Sequence, residues 1–401
     1  CLYSLWQTKE IYMEKNKDKI RHERVWSFLQ LLNRPLMKYL FDESFDEIDI
    51  DGPFLLIANH STDLDPLILA LCFPRNQLYF VASEHIFRLG LISKVLEWLV
   101  APIPRKKASS GADTVKMCLR RLKAGDSVGL MAEGEATWNG VSTDVFSATG
   151  KLVKSSGASL VTVRISGAYL SNPRWGNGFR RGEVEARLVH IYSPDEIEAM
   201  SASEVLDAIN RDIYENCWER QAEKPVKFIG DNRAEHIERA VFLCPSCKGI
   251  STIVSEGNYF KCRDCGFHGM VTEFGTFEGI NMIPNMYEWD KWQFESLKNM
   301  DFKQSDREGI LFFDSDVLLT QILKGHETKV IGDNFELCQY EDRITCGMCT
   351  FDMRRITNMS MVQAKRLLLS YDGNYFEIKA NNITSLRKYL CYWQNKSWEV
   401  E

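Results

Sequence analysis

Leu55–Pro74 read LLIANHSTDLDPLILALCFP, two apolar runs separated by a short polar stretch. The first run, with Phe54, predicts a buried strand, and DPLILALCF predicts a helix. His60 follows the strand directly, and Asp65 stands five residues later, just before Pro66. One reading of this is local. Aspartate before proline is an ordinary helix start, with Asp63 as an alternative cap. The other reading is chemical. A tight strand-to-helix connection brings a carboxylate beside a histidine five residues earlier. A carboxylate that holds one ring nitrogen leaves the other to take a proton from an alcohol. That chemistry is acyl transfer in which the acceptor's own hydroxyl is the nucleophile.

Outward from this stretch the pattern alternates. QLYFVAS (77–83) predicts a strand and IFRLGLISKVLEWLV (86–100) a helix. GADTVKMCLRRLKAG (111–125) predicts an amphipathic helix stopped by Gly125, and SVGLMAEG (127–134) and SLVTVRISG (159–167) predict strands. Strands alternating with helices define a layered α/β domain, with sites expected at the carboxyl ends of strands. Upstream, the charged run 9–24 leads into VWSFLQLLNRPLMKYLF (25–41), an amphipathic segment interrupted by Pro35. It is read either as a helix packed on the domain or as one lying in a lipid interface.

NHSTDLD (59–65) resembles the first signature of the glycerolipid acyltransferases, of the 1-acylglycerol-3-phosphate acyltransferase type. The resemblance implies that His60 is the general base and Asp65 its partner. It continues in order along the chain. APIPRKK (101–107) falls where the family carries an arginine for the acceptor's phosphate, matching Arg105, with Lys106 and Lys107 beside it. LMAEGEAT (130–137) falls where the family has a strand leading to glutamate and glycine, matching Glu133 and Gly134. SLVTVRISG falls where the family has its last block. The implied substrate-binding residues are Asn59, Arg105, Lys106, Glu133 and Gly134. A guanidinium matches a phosphate bidentately, and adjacent lysines raise the local positive potential. Glu133 is expected to bond acceptor hydroxyls or to brace a basic residue. The chain departs from the family in the third block, where Ala132 replaces a proline and Glu135 and Ala136 replace threonine and arginine. A second phosphate-binding arginine is therefore missing from that position. Thr162 stands where the last block has proline.

CPSCKGISTIVSEGNYFKCRDCG (244–266) carries two Cys-x-x-Cys pairs, Cys244 with Cys247 and Cys262 with Cys265. Four thiolates at this spacing, with β-prone residues between them, resemble a zinc ribbon and suit a closed tetrahedral structural site. His268 is the poorer ligand, since four sulfurs complete the shell. Cys346 and Cys349 have no second pair nearby and are expected to be strand or turn cysteines. Residues 281–293 are expected to link the ribbon to the C-terminal strands. Those strands are short, and with a YDGNYF turn and a final amphipathic helix over 383–398 they resemble a pleckstrin-homology-like pattern. The predicted organisation is an α/β layered acyltransferase domain with a mixed sheet and an amphipathic N-terminal segment at 1–235, a zinc ribbon at 240–272, and a mainly-β domain at 300–401.

The 401 residues, 45% hydrophobic, are enough for several cores, and the net charge of −6 argues against broad nucleic-acid binding. Twelve scattered cysteines, four of them in a metal-like spacing, fit a reducing cytosol. No apolar run reaches the length of a membrane span. The sequence begins at Cys1, which leaves open a preceding targeting segment. The functional expectation is an enzyme on the cytoplasmic face of a membrane, moving a fatty acyl group from acyl-CoA or acyl carrier protein to a lysophospholipid, with structural zinc. The alternatives are a non-catalytic lipid-binding adaptor on the same fold and, through the ribbon, a nucleic-acid binder.

Overall fold

The computed structural model describes residues 2–105, 111–280, 282–298, 309–323 and 327–396. The first part runs α1 (Leu2–Leu40), β1 (Asp42–Phe45), β2 (Phe54–Ala58), α2 (Asp65–Cys72), β3 (Leu78–Ser83), α3 (Leu91–Val100), β4 (Ile103–Arg105) and α4 (Ala112–Lys123). It continues with β5 (Ser127–Met131), α5 (Ala148–Ser156), β6 (Ser159–Ser166), α6 (Ala168–Ser171), β7 (Glu183–Tyr192), α7 (Pro194–Ala199), α8 (Ala202–Ile213) and α9 (Cys217–Glu223). The strands form one mixed sheet in the order β1-β7-β6-β2-β5-β3-β4, parallel except for β6 with β7. The mixed α/β expectation is therefore met.

β2 lies at the centre and is buried along its whole length, because helices cover both faces. Its side chains alternate between two cores. Phe54, Leu56 and Ala58 join residues of α1 and α2, whereas Leu55 and Ile57 join residues of α4, α5 and α8. Chain direction then fixes the site. β2, β4, β5 and β6 run parallel to their neighbours in this part of the sheet, so the connections after them emerge at one edge.

Three local expectations need correction. Pro35 does not interrupt the N-terminal segment, since α1 is one helix with the proline inside it. The segment 86–100 is not one helix. A short 3-10 turn at Glu84–Arg88 is separated from α3 by Gly90, whose φ of 64° ends the first element. Asp65 is not an N-cap. Leu64 occupies that position without a side-chain cap, and Asp65 is the first helical residue with its carboxylate turned back toward the preceding turn.

The ribbon segment forms a four-stranded antiparallel sheet of β8 (Ile253–Glu256), β9 (Tyr259–Cys262), β10 (His268–Val271) and β11 (Phe277–Glu278). The expected linker is largely a helix, α10 (Met286–Lys298). Its Trp289 is fully buried against Phe260, Phe267 and Phe277 of the ribbon. Then come β12 (Phe312–Ile322), β13 (Thr328–Gln339), β14 (Arg343–Cys346), β15 (Cys349–Asp352), β16 (Ile356–Val362), β17 (Arg366–Tyr371), β18 (Asn374–Ala380) and α11 (Arg387–Asn395). These strands make a seven-stranded antiparallel sheet, closed by the C-terminal helix as expected. Asp372 and Gly373, at φ of 50° and 72°, make the tight turn between β17 and β18. Cys346 and Cys349 face each other across the β14–β15 hairpin, as strand cysteines. One apolar core runs from Trp138, Tyr169 and Trp218 of the first part through the ribbon into the last sheet. Buried Asp290 of α10 bridges Asn139 and Arg387.

Candidate active site

The pairing of β2 with β5 aligns Ala58 with Met131. Two residues further on, His60 and Glu133 are therefore neighbours. His60 Nδ1 lies 2.7 Å from Asp65 Oδ2. The same carboxylate accepts from the backbone of Ser61 at 2.6 Å and of Thr62 at 3.1 Å, and from the Thr62 hydroxyl at 3.2 Å. Asp65 is fully buried, and these donors offset the cost of removing its charge from water. An ionised carboxylate only accepts, so Nδ1 carries the proton and Nε2 is left basic.

Glu133 braces the histidine's backbone rather than reaching into the cavity. Its Oε1 accepts from His60 N at 2.9 Å, and Oε2 accepts from Thr143 N at 2.8 Å. Burial pushes its carboxyl up to about 7. Asn59 also positions: its side chain bonds the Ile165 carbonyl and amide of β6, both at 2.7 Å. The Thr137 amide holds the His60 carbonyl at 2.9 Å. Gly134, at φ 82°, lies where a Cβ would fall 2.3 Å from the Phe146 ring and 3.0 Å from Arg105 Nη1. Its hydrogen side chain leaves the guanidinium its place over Phe146, 4.4 Å from the ring centre.

Arg105 ends β4, beside Ser83 of β3. Burial lowers its pKa, opposed by the charge of Glu135. Lys106 and Lys107 lie outside the described residues. His60 and Arg105 line one cavity of about 640 Å³. Its walls are otherwise mostly apolar, from Trp26, Leu29 and Leu36 of α1, Leu67 of α2, Phe80 and Val81 of β3, and Leu96 of α3. Sequence reasoning missed several polar contributors to its wall, His85 in the 3-10 turn after β3 among them. Arg174, in the loop after α6, lines the cavity, and so does Gln363, in the turn between β16 and β17. The only sequence signal for Arg174 was an arginine next to tryptophan in a Pro/Gly-rich loop. Gln363 had none.

Away from this cavity, Cys244, Cys247, Cys262 and Cys265 gather with all Sγ atoms within 4.8 Å of one another. Cys244 and Cys265, and likewise Cys247 and Cys262, are 3.7 Å apart. A tetrahedron of sulfurs at about 2.3 Å from a central zinc has edges of about 3.8 Å, so the donor set and spacing fit such an ion. His268 turns to its own turn, with Nδ1 2.9 Å from the Gly266 carbonyl, and is not in the group.

The site thus combines a histidine and a buried carboxylate at a strand end with a mostly apolar cavity that two arginines also line. Residues 36–166 match the family model described as Acyltransferase. Among solved structures the chain is similar to the 1-acyl-sn-glycerophosphate (LPA) acyltransferase PlsC from Thermotoga maritima. That match has 16% identity and a TM-score of 0.39, and covers 53% of this chain and 88% of the other. No curated protein matches the chain in sequence.

Proposed function

We propose that the protein transfers a fatty acyl group from an acyl thioester to the hydroxyl of a lysophospholipid, with lysophosphatidic acid as the type of acceptor. The observation that carries this is the His60–Asp65 pair at the polar end of the apolar cavity. The acceptor hydroxyl gives its proton to His60 Nε2 as its oxygen bonds the thioester carbonyl carbon. Asp65 stabilises the imidazolium that forms. Collapse of the tetrahedral adduct breaks the C–S bond. The thiolate takes the proton back from His60, so that alcohol and thioester become ester and free thiol. Asn59 and Glu133 set the position of the histidine, and Arg105 meets the acceptor's phosphate. The acyl chain lies along the apolar walls. Coenzyme A or acyl carrier protein is the donor's carrier.

The four ribbon cysteines hold zinc in this reading, and its part is structural: it ties β8–β10 to the core shared with the last sheet. The location is the cytoplasmic face of a membrane, held peripherally. Among the described residues no helix is long and apolar enough to cross one. Support for a lipid surface comes from Leu91, 77% exposed, with Ile92, Val95 and Trp98 on the same side of α3, and from Phe28 and Leu31 of the neighbouring α1. Leu32 and Leu36 are exposed and also line the cavity, so an acyl chain can enter from that side.

The test is mass spectrometry of products from purified protein with mixed lysophospholipids, offering acyl-CoA and acyl carrier protein donors, against His60→Ala. New acylated lipid that vanishes in the variant supports the assignment. No product from folded protein with any acceptor favours a lipid-binding adaptor on the same fold, the reading that the altered third block also suggests.

A further inference from the structure

We propose that Arg174 is a phosphate-binding residue of this site, the second of two guanidiniums that hold a phosphomonoester of the substrate. The inference rests on the cavity being the substrate site. Arg174 lies beyond the segment that matches the family model. Its side chain is only 7% exposed, yet it lines the same cavity as His60 and Arg105. It is packed over Trp138 at 4.0 Å. Nη1 donates to Glu135 Oε2 at 3.2 Å and to the Ala136 carbonyl at 2.7 Å, and Nη2 donates to the Gln363 carbonyl at 2.7 Å. The guanidinium thus occupies the ground beside Ala136, whose own side chain is a methyl group.

Two features point to a ligand. Arg174 Nη2 carries two N–H groups and makes one hydrogen bond, to the Gln363 carbonyl, so a donor is left over at the cavity wall, whereas the buried Nε is closed to a ligand. The charge count also leaves a surplus. Glu135 is ion-paired to Arg174 and also favours the charge of Arg105. One carboxylate between two guanidiniums leaves a positive charge over. Asp63, the carboxylate that lines the cavity, also favours the charge of Arg174 but is exposed, so water screens it. A phosphomonoester supplies both the charge and several acceptor oxygens. The C-terminal sheet places this arginine. Gln363, at φ 52° in the β16–β17 turn, accepts from it, and the Met361 amide donates to Glu135 at 2.9 Å. Two elements distant in sequence thus complete the polar end.

The phosphate has two sources, the acceptor's head group and the coenzyme A of the donor, and calorimetric titration of the full chain separates them. Glycerol 3-phosphate and coenzyme A are titrated separately into wild type, Arg174→Gln, Arg174→Lys and Glu135→Gln, with thermal melts alongside. The expected result is that Arg174→Gln weakens one phosphate ligand at least about tenfold, Arg174→Lys weakens it less, and Glu135→Gln tightens it about threefold or more. An effect on glycerol 3-phosphate assigns the acceptor's phosphate, and an effect on coenzyme A the donor's. Wild-type affinity in Arg174→Gln, with only a lowered melting temperature, overturns the proposal and leaves Arg174 a clamp to the C-terminal sheet. If that variant does not fold, unchanged or weakened binding by Glu135→Gln overturns it instead. Wild type that binds neither ligand overturns it as well. Intact Arg174-dependent binding without acylated product leaves this proposal standing and removes the acyltransferase reading.

Discussion

His60 Nδ1 and Asp65 Oδ2 lie 2.7 Å apart, with the carboxylate closed to solvent and the imidazole lining the cavity. The helix start gives up its own cap for this arrangement. Asp65 occupies the first position of α2, and its oxygens turn back to the Ser61 and Thr62 amides and to the ring. Local structure alone favours a capping aspartate. The observed geometry instead orients an imidazole and fixes its tautomer.

Asp65→Asn keeps the shape and removes the charge. Its amide nitrogen must face either a backbone N–H or the ring Nδ1–H, so one donor loses its acceptor. We expect acyl transfer to fall about 10²- to 10⁴-fold, approaching His60→Ala, with the acceptor KM little changed. Steady-state rates of both variants check this. A rate within about tenfold of wild type would reduce Asp65 to an anchor of the turn.

Glu133 titrates near 7 in the folded chain because burial disfavours its charge. A carboxyl whose folded pKa is raised binds more protons folded than unfolded through the interval between the two values. Stability must therefore fall as pH rises from about 4.5 to about 7, and then level off. Glu133→Gln abolishes this component. Across that window the melting temperature of wild type should drop relative to the variant. Parallel melting curves at pH 5, 6 and 7 would refute the assignment.

Much of this was legible because it is local. The strand–polar–helix order at 54–73, the paired cysteines and the hairpin at 371–376 are each written within a few residues. So was the His60–Asp65 pair, once a tight connection was assumed. What the sequence hid depends on long-range placement. Arg174 reaches the cavity only because α6 folds back after β6, and Gln363 only because the last sheet docks there. Glu133 was read either as a partner of acceptor hydroxyls or as a brace for a basic residue, and the choice waited on the β2–β5 register, which sets it against His60 N. The helix α10 was hidden for another reason. Its aromatic residues at 287, 289 and 292 serve the ribbon core as well as the helix face, which blurs the helical period.

The ribbon is no independent appendage, since Cys244 and Cys262 belong to the same core as Trp289 and the last sheet. Purified protein should contain one zinc per chain. Stripping it with a chelator should lower the melting temperature of the unit that contains the C-terminal sheet, not of the ribbon alone. Cys247→Ser, at an exposed ligand, should lower zinc occupancy with the chain still folded at low temperature. Metal analysis with calorimetry reads both. Zinc-free protein that melts as the untreated protein does would remove the structural role.

The exposed side of α3 yields the last prediction. Leu91, Ile92, Val95 and Trp98 recur along one side of a helix whose only buried residue is Ser93, so the bulk of its apolar surface meets solvent in the isolated chain. Each such side chain transferred into lipid gains about 1.5–3 kcal/mol, and a carboxylate at the same place opposes insertion. Leu91→Glu with Ile92→Glu should therefore weaken sedimentation with phospholipid vesicles at least about tenfold, with the melting temperature unchanged because neither residue is buried. Acylation of a lysophospholipid presented in vesicles should fall with the binding. Acylation of a short-chain acceptor dissolved below its micelle concentration should not, since His60 and Asp65 are untouched. Equal loss on both acceptors would mean that α3 shapes the cavity rather than meeting a membrane, and wild type that ignores vesicles would remove the membrane from the proposal.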